Sequence, residues 1–120
     1  MERRRIVFYR ALSGRCPIEE FIDSLSVAAA KRIAWLLEVV RDLENIPAVY
    51  FKKLQGTDGI WEGRIQLGTR GFRVLGFFYS DGMLVLTNGF AKKSQKTPRR
   101  EIETAERRKR DYLQRPGSDG

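Results

Sequence analysis

At 120 residues the chain has the length of one domain, and 42% of its residues are apolar, enough to bury a core without disulfides or metals. The formal net charge is +8, and the excess lies in the second half: residues 1–60 carry ten basic and eight acidic side chains, and residues 61–120 carry thirteen and seven. A positive field of this kind favours polyanionic partners, above all nucleic acid.

The same composition argues against several kinds of site and location. The single Cys16 cannot form an internal disulfide, and without histidine there is no Cys/His cluster for zinc. The missing histidine also removes the commonest general acid and base from any mechanism. No segment has the apolar length of a signal peptide or a membrane span. We therefore expect a cytoplasmic protein without a metal or other cofactor.

Three elements are predicted in the first half of the chain. Residues 4–10 (RRIVFYR) are rich in β-branched and aromatic residues and predict a strand. Residues 17–25 predict a short helix with Pro17 at its first position. A second helix follows from residue 26, because apolar residues recur there at helical spacing.

The ends of the second helix are also marked in the sequence. Ser24 or Ser26 is expected to cap its beginning, and Asn45 with Pro47 to end it. Residues 51–59 (FKKLQGTDG) are predicted to be a linker.

Three strands and a helix are predicted in the second half. IWEGRIQL (60–67) alternates polar and apolar residues, and FRVLGFFYS (72–80) and MLVLTNGFA (83–91) follow across the turn signals GTRG and Asp81-Gly82. Thr97 is the expected N-cap of a last helix that begins at Pro98. The order of elements predicts an α+β fold, with a four-stranded, antiparallel-dominated sheet, two helices on one face and a C-terminal helix. Residues 1–115 are expected to form one domain, and 116–120 a disordered tail.

Strand alternation predicts which side chains share a face of the sheet. With a two-residue loop at Asp81-Gly82 and a four-residue loop at GTRG, the polar side chains of the three strands fall together. This polar face is expected to carry Glu62, Arg64, Arg73, Asn88 and Lys92. The opposite face, expected to seat the first two helices, carries Trp61, Ile65, Val74, Phe78 and Val85.

The predicted polar face is not purely polar, because Leu75, Phe77, Tyr79, Leu84 and Leu86 fall on it as well. That is too much apolar area to leave in water. The last helix, a partner protein or both are therefore expected to cover part of this face.

Three stretches carry a family resemblance: LQGTDGIWEGRIQ (54–66), FRVLGFFYSDG (72–82) and LTNGFAKKSQKTPRREIETAERRKRDY (86–112). In this order they resemble the HigB-like branch of the RelE/ParE superfamily, toxins of bacterial type II toxin-antitoxin modules. The similarity runs over residues 4–112 and is most specific in the pattern GFxKKxxKTPxxEIxxAxxRxxDY. It implies a compact toxin that enters the ribosomal decoding site and cleaves translated mRNA without a metal. It also implies a HigA-like helix-turn-helix antitoxin, with the complex binding its own operator DNA.

The resemblance places a basic catalytic centre at Arg64, Arg73, Lys92 and Lys93. In metal-free cleavage the ribose 2′-hydroxyl attacks the adjacent phosphorus and expels the 5′-oxygen, so negative charge builds on the phosphoryl oxygens. Guanidinium forks suit that charge, and Arg64 and Arg73 are the predicted phosphate clamps. Lys92 or Lys93 is the predicted proton shuttle, since crowding of positive charge favours the neutral amine. Glu62 is the candidate general base.

A second set of residues is predicted to bind RNA. Tyr79 and Tyr112 could stack on splayed bases, as aromatic side chains do in single-stranded RNA recognition. Asn88 shares the polar face, and Lys96 and Arg108 add positive charge that attracts phosphates. Structural interpretations stay open beside these: Glu62 with Arg64 as a surface ion pair, and the lysine pair as protection of a strand end.

Three other functions remain open at this point. A ParE-like toxin that inhibits DNA gyrase would share the fold without needing the basic centre. A nucleic-acid-binding module without catalysis is compatible with the charge alone. A magnesium nuclease built on Glu62 with Asp58 or Asp81 is the least favoured, because the spacing of these carboxylates is unlike that of a metal site.

Overall fold

A central sheet separates two helical layers in the computed structural model, which describes residues 3–80 and 82–115. The elements are β1 (Arg5–Phe8), α1 (Pro17–Asp23), α2 (Val27–Asp42), β2 (Phe51–Lys53), β3 (Trp61–Leu67), β4 (Arg70–Phe78), β5 (Met83–Lys92) and α3 (Arg99–Gln114). Strand β1 runs parallel to β5, the other neighbouring pairs are antiparallel, and the order across the sheet is β1-β5-β4-β3-β2. The predicted α+β class is confirmed, while the predicted tail, 116–120, lies outside the described residues.

The sheet has five strands, so the prediction of four was wrong. The additional strand, β2, lies in the stretch predicted to be a linker and pairs with the first residues of β3. Its signal in the sequence is weak, because it is three residues long and two of them are exposed lysines. Tertiary packing creates it: Phe51 is 5% exposed and stacks on Trp61 with ring centroids 5.0 Å apart.

Helices α1 and α2 cover one face of the sheet, as predicted. Ser26 caps α2 by accepting a hydrogen bond from the Ala29 backbone N–H, and the helix ends at Asp42, a little before the expected stop. The fit of α1 is tight, since a Cβ on Gly89 of β5 would come within 2.3 Å of the Phe21 ring. The buried apolar residues of this layer include Ile18, Ile33, Leu36, Val40, Ile65, Phe72, Val74, Leu84 and Leu86.

The β3–β4 hairpin is shorter than predicted, but its faces are as predicted. Only Gly68 and Thr69 lie between the strands, and Leu67 pairs with Arg70 rather than with Phe72. Gly68 has a φ of +60°, which a tight hairpin turn favours. The register therefore moves by two residues, and because side chains alternate with period two, each stays on its expected face.

A β-bulge at Thr87 corrects the predicted faces of β5. Arg73 pairs with Phe90 and Leu75 with Asn88, as predicted, but Gly76 then pairs with Leu86. The extra residue reverses the alternation on the hairpin side of the bulge. Leu84 and Leu86 consequently pack beneath α1 and α2, and Val85 packs on the opposite face, the reverse of the prediction.

Helix α3 covers the other face of the sheet through a small apolar contact. Ala105 is its one buried residue among those described, and it packs with Ile60, Leu75, Phe77, Met83 and Val85. Polar contacts hold the rest of the helix. Arg108 Nη1 donates to the carbonyl of the bulged Thr87 at 2.9 Å, and Lys109 Nζ donates to the Asp58 carbonyl at 2.7 Å.

The start of α3 differs from the prediction in its cap. Pro98 occupies the N-cap position without a side-chain hydrogen bond, so the assignment of Thr97 as N-cap was wrong. The Thr97 hydroxyl donates instead to Glu62 on β3. A buried carboxylate without a donor is costly, which explains why this hydroxyl bonds to the sheet and not to the helix.

A polar cluster fastens the C-terminal end of α3 to the end of β1. The Tyr9 hydroxyl donates to Asp111 Oδ2 at 2.5 Å, and Arg115 bonds both to Asp111 and to the Arg10 carbonyl. The hydrogen bond from Tyr9, followed by that from Arg115, lowers the pKa of Asp111. Burial, with the hydrogen bond to Asp111 as a further cause, raises the pKa of Tyr9.

We expect this cluster to make stability depend on pH at the acid end. A lowered pKa in the folded state means that the contribution of Asp111 is present above its unfolded pKa, about 3.9, and is lost as the pH falls through the lowered value. Asp111→Asn should therefore flatten the acid loss of stability, measured as the unfolding midpoint from neutral pH down to about pH 2. Asp23→Asn, at an exposed position of α1, is the matched control. An unchanged acid profile in Asp111→Asn would contradict the assignment.

Candidate functional site

A basic cavity lies beside the β3–β4 hairpin, between side chains of the face that the alternation predicted to be polar and side chains of α2 and of the segment before β2. Its volume is about 380 Å³, within the range of about 300–1,000 Å³ typical of small-ligand pockets. Its polar lining is Arg32, Tyr50, Arg64, Gln66, Arg73 and Lys92. Four of the six are cations, so the cavity is suited to an anion.

Two arginines face each other at the centre of this lining. Arg64 on β3 and Arg73 on β4 are direct cross-strand partners, an arrangement that is unfavourable for like charges. Glu62 offsets it: its Oε1 lies 3.6 Å from Arg64 Nε and 3.8 Å from Arg73 Nε. The carboxylate therefore holds the two guanidinium groups side by side.

Glu62 lies beneath the arginines and not at the surface. Its side chain is 3% exposed, against 6% for Arg73 and 29% for Arg64. Its second oxygen accepts the hydrogen bond from Thr97. Both carboxylate oxygens thus have partners inside the protein, and these contacts favour a positioning role.

Arg73 is 5% exposed and lines the cavity from within the sheet. Its Nη1 donates to the Phe72 carbonyl at 3.0 Å. Burial lowers the pKa of Arg73, the charge of Glu62 raises it, and the charge of Arg64 adds to the lowering. Arginine nevertheless stays protonated in proteins, so Arg73 presents a fixed, poorly hydrated positive charge.

Gly71 leaves room where several of these side chains meet. A Cβ at this position would lie 3.1 Å from Gln66 Oε1, 3.1 Å from Lys92 Cδ and 3.4 Å from Arg73 Nη1. The three side chains therefore converge over a backbone that has no side chain of its own. A side chain at this position would crowd all three.

Lys93 and Lys96 lie in the loop that follows β5. Lys93 lines a second cavity of about 390 Å³, which shares Gln66 and Lys92 with the first. Lys96 is exposed, and its carbonyl accepts a hydrogen bond from Ser94 Oγ at 3.0 Å. The predicted basic centre is thus gathered at one end of the sheet, with Lys93 at its rim and Lys96 in the loop that follows.

The other predicted RNA-binding residues lie away from the cavity lining. Asn88 is 5% exposed, and its Nδ2 donates to Glu101 Oε1 at 3.0 Å, beneath the start of α3. Tyr112 packs edge-to-face with Tyr79 at 5.5 Å and with Phe77 at 5.8 Å. Arg108 supports the bulge, and burial, with the nearby charge of Arg107, lowers its pKa. All four take part in packing α3 against the sheet.

The profile of one protein family matches residues 20–110, about three quarters of the chain. Its description is "Phage derived protein Gp49-like (DUF891)". The chain belongs to this family. Gp49-like proteins are a RelE/HigB-like toxin-type family of toxin-antitoxin systems. No curated protein matches the chain significantly.

The match places the cavity within the Gp49-like region. It includes all five predicted catalytic residues, whereas Tyr112 falls outside it. No described helix has the length and apolar character needed to cross a membrane. Within residues 3–80 and 82–115, no group of three or more His, Cys, Asp or Glu side chains lies close enough together to hold a metal ion.

Three polar residues that line this Gp49-like cavity had no role in the sequence-based prediction. Arg32 projects from α2, and its Nη2 donates to the Gln66 carbonyl at 3.1 Å. Tyr50 precedes β2, in the segment whose strand was not predicted. Gln66 was assigned to the polar side of its strand but to no role. The alternation of β3 could have identified Gln66, whereas Arg32 and Tyr50 reach the cavity only through the packing of α2 and β2.

The hydrogen bond from Thr97 to Glu62 should contribute measurably to stability. Thr97→Val keeps the shape but leaves a buried carboxylate oxygen without its donor, which should lower the free energy of unfolding by about 1–3 kcal/mol. Thr97→Ser retains the hydroxyl and is the matched control. Urea unfolding of the two variants measures the difference, and equal midpoints would contradict the role assigned to this bond.

Proposed function

We propose that this Gp49-like protein is a HigB-like toxin that cleaves ribosome-bound mRNA without a metal ion. The observation that carries the proposal is the convergence of Arg73, Lys92 and Gln66 over Gly71, beside Arg64. Arginine and lysine donors gathered in a partly buried cavity are what a phosphoryl group needs as it gains negative charge. The toxin-type family supports the biological role.

The proposed reaction assigns a separate task to each cation. Arg73 and Arg64 bind the non-bridging oxygens of the scissile phosphate and stabilise the charge that accumulates there. The ribose 2′-oxygen attacks phosphorus in line, its proton passes to water, and the bond to the 5′-oxygen breaks. Lys92, as the ammonium, donates a proton to that leaving oxygen. The products are a 2′,3′-cyclic phosphate and a 5′-hydroxyl.

Glu62 acts in this scheme by positioning the arginines. A general base must come within hydrogen-bond reach of the proton that it removes, and Glu62 is 3% exposed with Thr97 on one oxygen. Glu62 fixes the two positively charged guanidinium groups next to each other. Donors that are preorganised in this way need no rearrangement during the reaction. Lys93, at the rim, and the exposed Lys96 in the same loop would attract the RNA backbone.

The partners of such a toxin follow from the same proposal. A HigA-like helix-turn-helix antitoxin would neutralise it, and the complex would bind its own operator DNA. The free toxin would act in the cytoplasm, at the ribosome, where the net charge of +8 favours association with RNA.

Cleavage can be tested in a cell-free translation reaction with a defined messenger. Arg73→Lys keeps the charge but loses the fork, and Lys92→Ala removes the proposed acid. Each should lower the cleavage rate by about a hundredfold or more. Mapping of RNA 5′ ends measures the cuts, with EDTA-treated free RNA as the ribosome-free control.

Lys53→Ala is the matched control, because Lys53 is an exposed lysine of β2 that pairs with Trp61 on the helix-bearing face. It should cleave like the wild type. Thermal unfolding of all variants separates lost chemistry from lost folding. If the wild-type protein stops growth but leaves the messenger intact, the nuclease proposal fails, and inhibition of DNA gyrase becomes the leading explanation.

A further inference from the structure

The basic cavity has an aromatic side chain of its own. Tyr79 and Tyr112, predicted to stack on RNA bases, pack against each other where α3 meets the sheet. Tyr50 instead lines the cavity together with Arg64 and Arg73. Phosphate contacts alone carry no information about the base. Tyr50 is placed to supply a contact with the base.

Backbone hydrogen bonds fix Tyr50 relative to the arginines. The Arg64 backbone N–H donates to the Tyr50 carbonyl at 2.8 Å, so the two residues are joined across neighbouring chain segments. The Tyr50 backbone N–H donates to the Pro47 carbonyl at 2.9 Å, which closes the turn that leads into β2. The backbone of Tyr50 is therefore fixed beside that of Arg64, the cross-strand partner of Arg73.

Side-chain packing orients the ring of Tyr50. Trp35 of α2 lies edge-to-face with it, with ring centroids 5.1 Å apart and planes at 82°. The Arg32 guanidinium lies 5.3 Å from the centroid of the Trp35 ring and also donates to the Gln66 carbonyl. This chain of contacts fixes the plane of Tyr50 before any ligand binds, which lowers the entropy cost of binding.

Apolar surface continues outward from Tyr50. Val49 also lines the cavity and is 65% exposed, and Trp35 is 37% exposed. Core packing alone would explain the contact between Tyr50 and Trp35. It does not explain why exposed apolar side chains lie beside the four cations of the cavity. A nucleotide matches both parts, because it joins an anionic phosphate to a flat base.

We propose that Tyr50, oriented by Trp35, is the platform on which a base of single-stranded RNA stacks while Arg64 and Arg73 hold its phosphate. The inference rests on the proposed function, which it extends from the phosphate to the base. Stacking on an aromatic ring tolerates any base, so Tyr50 contributes affinity and positions the strand. The assignment makes Tyr50 a binding residue and gives it no part in proton transfer.

The test compares two ligands that share a backbone. One is a fluorescein-labelled short single strand of 2′-O-methyl RNA, which cannot be cut because the attacking hydroxyl is blocked; the other has the same backbone with every internal nucleotide abasic. Fluorescence anisotropy measures the Kd of each for the purified protein. The wild type should prefer the strand with bases by about 5- to 150-fold, the range expected for one stacked base.

Variants of Tyr50 then test whether its ring causes the preference for the strand with bases. Tyr50→Leu should remove most of the preference while leaving the Kd for the abasic strand unchanged, and Tyr50→Phe should retain it. Arg73→Lys should weaken the binding of both ligands by the same factor. Thermal unfolding confirms that each variant is folded.

Each failure has a separate meaning. Equal affinity of the wild type for the two strands, or an undiminished preference in Tyr50→Leu, would overturn the stacking role while leaving the phosphate clamp intact. An Arg73→Lys variant that binds both strands like the wild type would count against the clamp and hence against the proposed function. Failure of the wild type to bind either strand would overturn both.

Discussion

The organisation of the basic cavity depends on one buried carboxylate. Arg64 and Arg73 are cross-strand neighbours, and without Glu62 between them and Thr97 behind it their repulsion would oppose the pairing of β3 with β4. Burying such a group is expensive unless it is paired and hydrogen-bonded. Glu62 satisfies both conditions, and the result is two guanidinium groups that are fixed in place before a ligand arrives. The same ion pairs and hydrogen bond that compensate for burying Glu62 also make the site rigid.

The β-bulge at Thr87 divides the same sheet face into two parts. On the hairpin side of the bulge, β5 presents Met83 and Val85 to α3, and on the other side it presents Asn88, Phe90 and Lys92. Arg108 satisfies the carbonyl that the bulge frees. A regular strand would have directed Leu84 and Leu86 at α3 instead. The apolar contacts of α3 and the cations Arg64, Arg73 and Lys92 can therefore share a face, because one extra residue changes which side chains of β5 lie on it.

Much of the site could be predicted because period-two alternation survives a register error of two residues. Glu62, Arg64, Arg73 and Lys92 lie together as the strand pattern and the family resemblance indicated, although the hairpin loop was predicted too long. The residues placed wrongly, Leu84, Leu86 and Val85, all follow from an insertion of a single residue, which reverses the alternation. Strand β2 was missed because it is three residues long and only Phe51 is buried in it, where it stacks on Trp61.

The sequence by itself determined the α+β class, the helices, the charged character of the second half and the resemblance to RelE/ParE toxins, because periodicity, composition and motifs are local properties. Only the tertiary structure decided the fifth strand, the bulge, the burial of Glu62 and the entry of Arg32 and Tyr50 into the cavity. These features depend on contacts between residues far apart in the chain: Thr97 with Glu62, and Tyr50 with Trp35 and Arg64. No local pattern encodes such pairs, since each member alone is compatible with an ordinary surface or core position.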